Sequence, residues 1–186
     1  MKTVLQQVRD FADEAHGEQT RKYTPDRYIV HPVKVMEIVR EYTNELPMLA
    51  AALLHDVLED TPVNKQAIRD FLDGRMSPAE AVRTLHLVEE LTDVYVKANY
   101  PQWNRRKRKG KELERMAQTS PAAQTIKYAD IIDNCTAIAE QDPDFGKVFL
   151  YECRALLKNM TKGNEHLHQR AVALVEQQIK SLNNSC

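Results

Sequence analysis

Apolar residues recur along this chain at intervals of three and four, and few stretches alternate as a β-strand would, so the pattern predicts an all-α protein. Over residues 3–16, Val4, Val8, Phe11, Ala12 and Ala15 share one stripe, and Gly17 ends the helix. His31-Pro32 opens a second helix, with Val35, Met36, Val39 and Tyr42 on its buried side. Proline suits a first helical position because the N–H it lacks would have no helical partner there. Pro47 starts a third helix, expected to run unbroken to Asp60, where Thr61-Pro62 disfavours helical backbone. A short helix over 64–72 ends near Gly74, and Ser77-Pro78-Ala79-Glu80 is a capping box opening a helix through Leu85, Val88 and Leu91. Residues 91–103 read as loop and 104–119 as a helix with a basic start. Ser120-Pro121 repeats the capping signature ahead of a long helix bearing Ile126, Ala129 and Ile132. Helices near 146–160 and 164–182 complete the chain, with clear apolar stripes and no concentrated chemistry.

The stretch Ala50–Asp60 breaks this pattern chemically. Small and apolar residues lead into His55, Asp56, Glu59 and Asp60. In a helix Glu59 lies one turn beyond His55 and Asp60 one turn beyond Asp56, so all four project from one side. Leu53, Leu54, Val57 and Leu58 cover the rest and bury the segment. Burying three acids and an imidazole is costly unless something pairs with them, and a divalent metal is the simplest such partner. Glu59 and Asp60 also fall in the last helical turn, at the negative end of the dipole, a locally unfavourable placement that suggests service to a site.

Length and composition narrow the classes. At 186 residues the chain suits one domain spanning 1–186. A net charge of −1 gives no global field for nucleic acid or membrane. Cys135, Cys153 and Cys186 form no CxxC pair and leave an odd count, which fits reduced thiols in the cytoplasm. Residues 1–20 contain no apolar signal region, and no run approaches the roughly 18 apolar residues of a membrane span, so neither is expected. Charge is uneven locally: Arg105, Arg106, Lys107, Arg108, Lys109 and Lys111 cluster, and Arg21, Lys22 and Arg27 lie in the polar loop after the first helix. Tyr100 and Trp103 precede the cluster, but the run itself holds no aromatic residue, which weakens a single-strand stacking platform.

The polar exceptions are therefore His31, His55-Asp56, Glu59-Asp60 and Asp130, the last with Lys127, Asp133 and Asn134 on its own helix. Two imidazoles and two carboxylates form a mixed N/O set that suits Mn²⁺, Fe²⁺, Mg²⁺ or Zn²⁺ with positions left for water and a substrate oxygen. Such a metal acidifies water and polarises a phosphoryl oxygen, and a nearby carboxylate can orient or deprotonate that water.

This arrangement resembles the HD superfamily of metal-dependent phosphohydrolases, and more closely the hydrolase domain of the Rel/Spo alarmone enzymes and their single-domain relatives. The segments that carry the resemblance are His16-Gly17-Glu18-Gln19-Thr20-Arg21, Tyr28-Ile29-Val30-His31-Pro32, Ala51 through Thr61, Val88 through Asp93, and Ile126 through Asn134. They follow the family's order over about residues 10–135. The resemblance implies a helical HD-domain bundle with the metal site between central helices. It implies that His31, His55, Asp56 and Asp130 hold Mn²⁺, that Glu59 and Asp60 are the catalytic acids positioning water, and that Arg21, Lys22, Lys127 and Asn134 meet the nucleotide. It implies removal of the 3′-pyrophosphate from guanosine tetra- or pentaphosphate. The loop Tyr23-Thr24-Pro25-Asp26-Arg27 departs from the family pattern beside the base pocket. An HD phosphohydrolase for another nucleotide, and a non-enzymatic nucleotide-binding member, thus stay open as alternatives. A small-molecule nucleotide is the expected partner, with no membrane and no specific nucleic acid.

Overall fold

The computed structural model describes residues 2–22, 24–141 and 143–184; Tyr23 of the departing loop and Cys186 lie outside them. Ten helices make up the regular structure of the described residues, and two isolated bridges, Thr20 with Arg27 and Asp73 with Met76, are their only β-type pairings. The all-α expectation holds. No described helix is long and apolar enough to cross a membrane. The chain divides into two compact units, 1–92 and 93–186.

The first unit holds α1 (Val4–His16), α2 (Val30–Arg40), α3 (Leu46–Leu54), α4 (Val57–Asp60), α5 (Lys65–Leu72) and α6 (Pro78–Leu91). Its centre is α3, where every residue from Pro47 to Leu54 is buried, and α1, α2 and α6 all pack on it. A helix apolar on all sides needs neighbours on all sides. Truncating a fully buried leucine such as Leu54 to alanine would cost about 2–5 kcal/mol. Phe11 of α1 stacks on Phe71 of α5, with ring centroids 4.2 Å apart. The capping box at Ser77 forms as read: Ser77 N–H donates to Glu80 Oε2 at 3.0 Å, and Glu80 N–H to Ser77 Oγ at 3.4 Å.

Two boundaries differ from the sequence reading, and both matter to the site. The second helix starts at Val30, two residues before Pro32, so His31 is a buried first-turn residue and not a cap. The third helix is not continuous to residue 60. It stops at Leu54, His55 and Asp56 form a turn, and α4 adds a single further turn. The physical cause is local. Asp56 sits at φ −97°, ψ −6°, the sparsely populated bridge region. His55 Nδ1 meanwhile lies 2.8 Å from Ala52 O, a carbonyl of the last turn of α3. Thr61 then closes α4 by donating its hydroxyl to Val57 O at 2.7 Å, with extended backbone ahead of Pro62.

The second unit holds α7 (Arg105–Met116), α8 (Pro121–Gln141), α9 (Pro143–Asn159) and α10 (Glu165–Asn184). Here α8, α9 and α10 pack on one another, and α7 packs on α9. The turn between α9 and α10 is clasped to α8. Tyr128 Oη donates to Met160 O at 2.7 Å, Lys162 N–H to Gln124 Oε1 at 2.9 Å, and Asn164 N–H to Thr125 Oγ1 at 2.9 Å. In the preceding loop, the buried carboxylate of Glu112 accepts the N–H groups of Val94 and Tyr95, each at 3.1 Å.

Candidate active site

The turn that interrupts the central helix turns His55 and Asp56 toward His31. One ligand atom each from His31, His55 and Asp56 lies within 4.8 Å of the other two. Asp56 Oδ2 stands 3.1 Å from His55 Nε2 and 3.5 Å from His31 Nε2, and both imidazoles are buried. Hydrogen bonding assigns the His55 tautomer: a carbonyl only accepts, so Nδ1 carries the proton given to Ala52 O. The other ring nitrogen, Nε2, faces a carboxylate oxygen, a pairing that needs a proton or a cation between the two atoms. Two imidazole nitrogens and a carboxylate at such spacing fit a divalent transition metal, and the backbone bond on the far nitrogen is the usual support for a metal-ligating histidine. Burial works against the charge of Asp56, but the adjoining His55 and His31 outweigh it and hold the carboxyl well below its ordinary range.

Glu59 and Asp60 lie on α4, the turn immediately after these residues, and both are exposed. Asp60 is raised from the usual carboxylate range, first by the desolvation that neighbouring protein imposes on its otherwise exposed carboxyl and second by the like charge of Asp56, while a hydrogen bond from Tyr28 acts in the opposite direction. That bond is part of a contact the sequence reading missed. Tyr28 Oη donates to Asp56 Oδ2 at 2.6 Å and lies 3.2 Å from Asp60 Oδ2. These partners are 28 and 32 residues from Tyr28 in sequence, beyond the reach of any local spacing signal. Arg21 and Lys22 occupy the loop closed by the Thr20–Arg27 bridge, with Arg21 N–H donating to Asp26 O at 3.0 Å.

In the second unit, a cavity of about 870 Å³ is lined by residues of α7, α8 and α9 and by Asp93. Lys127, Asp130 and Asn134 all line it. Lys127 Nζ is 2.7 Å from Asp130 Oδ2, and Asn134 Nδ2 donates to Asp130 Oδ1 at 2.6 Å. Of the basic run, Arg105, Arg106 and Lys109 reach the cavity. Arg105 makes a two-pronged pair with Glu152 at 2.9 and 2.7 Å, and Lys109 pairs with Asp93 at 2.9 Å. Lys107 instead lies over the Trp103 ring, 4.4 Å from its centroid, Arg108 donates to Trp103 O, and Lys111 turns to Glu114. The cavity is therefore not a bare cationic patch: five basic side chains, with Lys147 the fifth, share it with Asp93, Glu112, Asp130 and Glu152.

Lys147, Tyr151 and Glu152 correct the reading of α9 as a helix without concentrated chemistry. The signal was present in the sequence: Lys147 and Tyr151 are four residues apart and so neighbours on the helix surface, with Glu152 beside them.

The HD domain family model matches residues 9–154 of this chain. The chain belongs to that family. The mouse guanosine-3′,5′-bis(diphosphate) 3′-pyrophosphohydrolase MESH1 is 28% identical over 93% of both chains. A protein of the same activity name from Aquifex aeolicus is 40% identical over 73 residues, and the Escherichia coli bifunctional (p)ppGpp synthase/hydrolase SpoT is 41% identical over 87. Those two are far longer proteins, the matched segments amounting to 10% and 12% of their lengths. A solved structure described as a metazoan ortholog of SpoT that hydrolyzes ppGpp superposes with a TM-score of 0.77 at 23% identity, over 96% of this chain and 97% of that one. At that identity the likeness establishes the fold.

Proposed function

We propose that this chain is a metal-dependent guanosine-3′,5′-bis(diphosphate) 3′-pyrophosphohydrolase, releasing pyrophosphate to leave GDP, or GTP from the pentaphosphate. The observation that carries the proposal is the group of two buried imidazoles, His31 and His55, and the half-buried Asp56, with two further carboxylates, Glu59 and Asp60, on the next turn. The mouse enzyme that matches over nearly the full chain narrows the substrate class. The family match runs through both compact units, which supports one HD-type catalytic domain.

In this proposal His31, His55, Asp56 and Asp130 are the metal ligands, Asp130 entering the set on its Lys-x-Ala-Asp motif alone, and Mn²⁺ is the resident ion. A divalent ion there supplies Lewis acidity to a phosphoryl oxygen and to the attacking water. His55 keeps its Nε2 lone pair available because Ala52 O holds the proton on Nδ1. Glu59 and Asp60 orient the water and accept its proton as it attacks the 3′-phosphoryl phosphorus. The bond to the 3′-oxygen breaks, that oxygen takes up a proton returned from the acid pair to become the 3′-hydroxyl, and pyrophosphate leaves. Lys127, Asn134, Arg21 and Lys22 hold the nucleotide, joined by Arg106 and Lys147 of the second-unit cavity, whose size suits a ligand of nucleotide dimensions. The buried thiols of Cys135 and Cys153 are free, which supports the cytoplasm as the place of action.

A panel of nucleotides carrying 3′-pyrophosphate, 3′-monophosphate or only 5′-phosphates, incubated with the protein and Mn²⁺, tests the proposal. Release of pyrophosphate from the guanosine 3′-pyrophosphates, with little action on GDP or GTP, is expected. Equal turnover of 3′-monophosphates would contradict it and favour an HD phosphohydrolase of another specificity.

A further inference from the structure

The hydroxyl of Tyr28 stands between two carboxylates to which the proposed reaction gives different tasks. Asp56 Oδ2, 2.6 Å away, is the atom that also faces His31 and His55; Asp60 Oδ2, 3.2 Å away, belongs to the acid pair on α4. A phenol has one proton to donate. That proton is within hydrogen-bond reach of both oxygens and goes chiefly to the nearer, so the hydroxyl bridges the two like-charged groups.

The ring is held in that place on three sides. It lies against the His16 ring, centroids 4.4 Å apart, and edge-on to His31 at 5.8 Å. The backbone N–H of Tyr28 donates to Gln19 O at 2.8 Å. The Gln19 side chain in turn takes a 2.9 Å bond from Nδ1 of the buried His16. His16 and Gln19 belong to the His16–Arg21 motif, and this platform accounts for both.

We infer that Tyr28 is a positioning residue of the reaction: its hydroxyl fixes the carboxylate of Asp56 for metal and the carboxylate of Asp60 for water. The inference rests on the proposed hydrolase reading for its kinetic part only. Packing of the ring needs no hydroxyl, so Tyr28→Phe keeps the platform and removes only the clamp.

The test compares wild type, Tyr28→Phe, Asp60→Asn and the double variant, each checked for folding by circular dichroism. Mn²⁺ affinity is measured by calorimetry and turnover by pyrophosphate release. Loss of a supporting hydrogen bond to a metal ligand costs about 10–100-fold in affinity or activity. Tyr28→Phe should accordingly bind Mn²⁺ about tenfold more weakly and lose about tenfold in kcat with KM little changed. With Mn²⁺ saturating, so that the Asp56 arm no longer limits, the same substitution in the Asp60→Asn background should cost little further kcat, because the carboxylate whose water-positioning it supports is gone. Unchanged Mn²⁺ affinity in a folded Tyr28→Phe protein overturns the inference. So does a full loss of kcat that persists in the Asp60→Asn background at saturating Mn²⁺. If wild type releases no pyrophosphate, the substrate reading fails, and the Mn²⁺ measurement still decides the role of Tyr28.

Discussion

Replacing Gly163 by alanine should loosen the helix that carries Lys127, Asp130 and Asn134, although Gly163 lies far from all three in sequence. A Cβ at position 163 would meet Tyr128 Cε2 at 2.6 Å, Thr125 N at 2.9 Å and Thr125 Oγ1 at 2.9 Å. Thr125 N is backbone of α8, and Tyr128 is fully buried, so neither yields without moving the helix. The same residues hold the clasp through the bonds to Met160 O and Asn164 N–H. Overpacking of this kind costs about 1–3 kcal/mol, and each strained hydrogen bond adds about 1 kcal/mol. A total of roughly 3 kcal/mol is expected. For a chain of this size each kcal/mol shifts Tm by about 2–4 °C, so the melting midpoint should fall by about 6–12 °C. Circular dichroism melts of the two proteins without added metal measure it. A Tm within about 2 °C of wild type would refute the reasoning, since it would mean the turn takes the methyl at less than 1 kcal/mol and does not clasp α8 closely.

Three further outcomes follow from the site. Asp56→Ala should abolish stoichiometric metal uptake, read by metal analysis of the purified protein, because it removes the oxygen that faces both imidazoles. Glu59→Gln and Asp60→Asn should keep the metal and lose on the order of a hundredfold in turnover, the scale of lost acid–base assistance. Arg106→Glu should chiefly raise KM in steady-state assays, because this cavity-lining cation has no ion pair among the described residues and gives binding shared by ground and transition states.

The parts of this account that were legible in the sequence are those that local spacing encodes. The capping box at Ser77, Pro121 as a helix start and Gly17 as a helix end, at φ 55°, depend on residues a few positions apart. His31, His55 and Asp56 could be marked as exceptions on apolar helices before any fold was known. What was not legible depends on contacts through space. The break after Leu54 arises from a side chain reaching back to a carbonyl, which a helical pattern continued to Asp60 conceals. The sequence shows the basic run only as a cluster of like charges; its partners lie elsewhere, Arg105 being met by Glu152, 47 residues on, and Lys109 by Asp93, 16 residues back. Tyr28 escaped for the same reason: its partners lie on a segment that the linear motif does not join to it.

The most direct measurement of the central claim is product analysis from guanosine 3′,5′-bis(diphosphate) incubated with the metal-loaded chain in ¹⁸O-labelled water. The account predicts GDP and pyrophosphate in equal amounts, with the label in pyrophosphate, since water attacks phosphorus and the 3′-oxygen stays on the sugar. It further predicts that chelation or Asp56→Ala stops the reaction. Label retained in the nucleoside product, sequential release of inorganic phosphate, or undiminished activity in Asp56→Ala would contradict it.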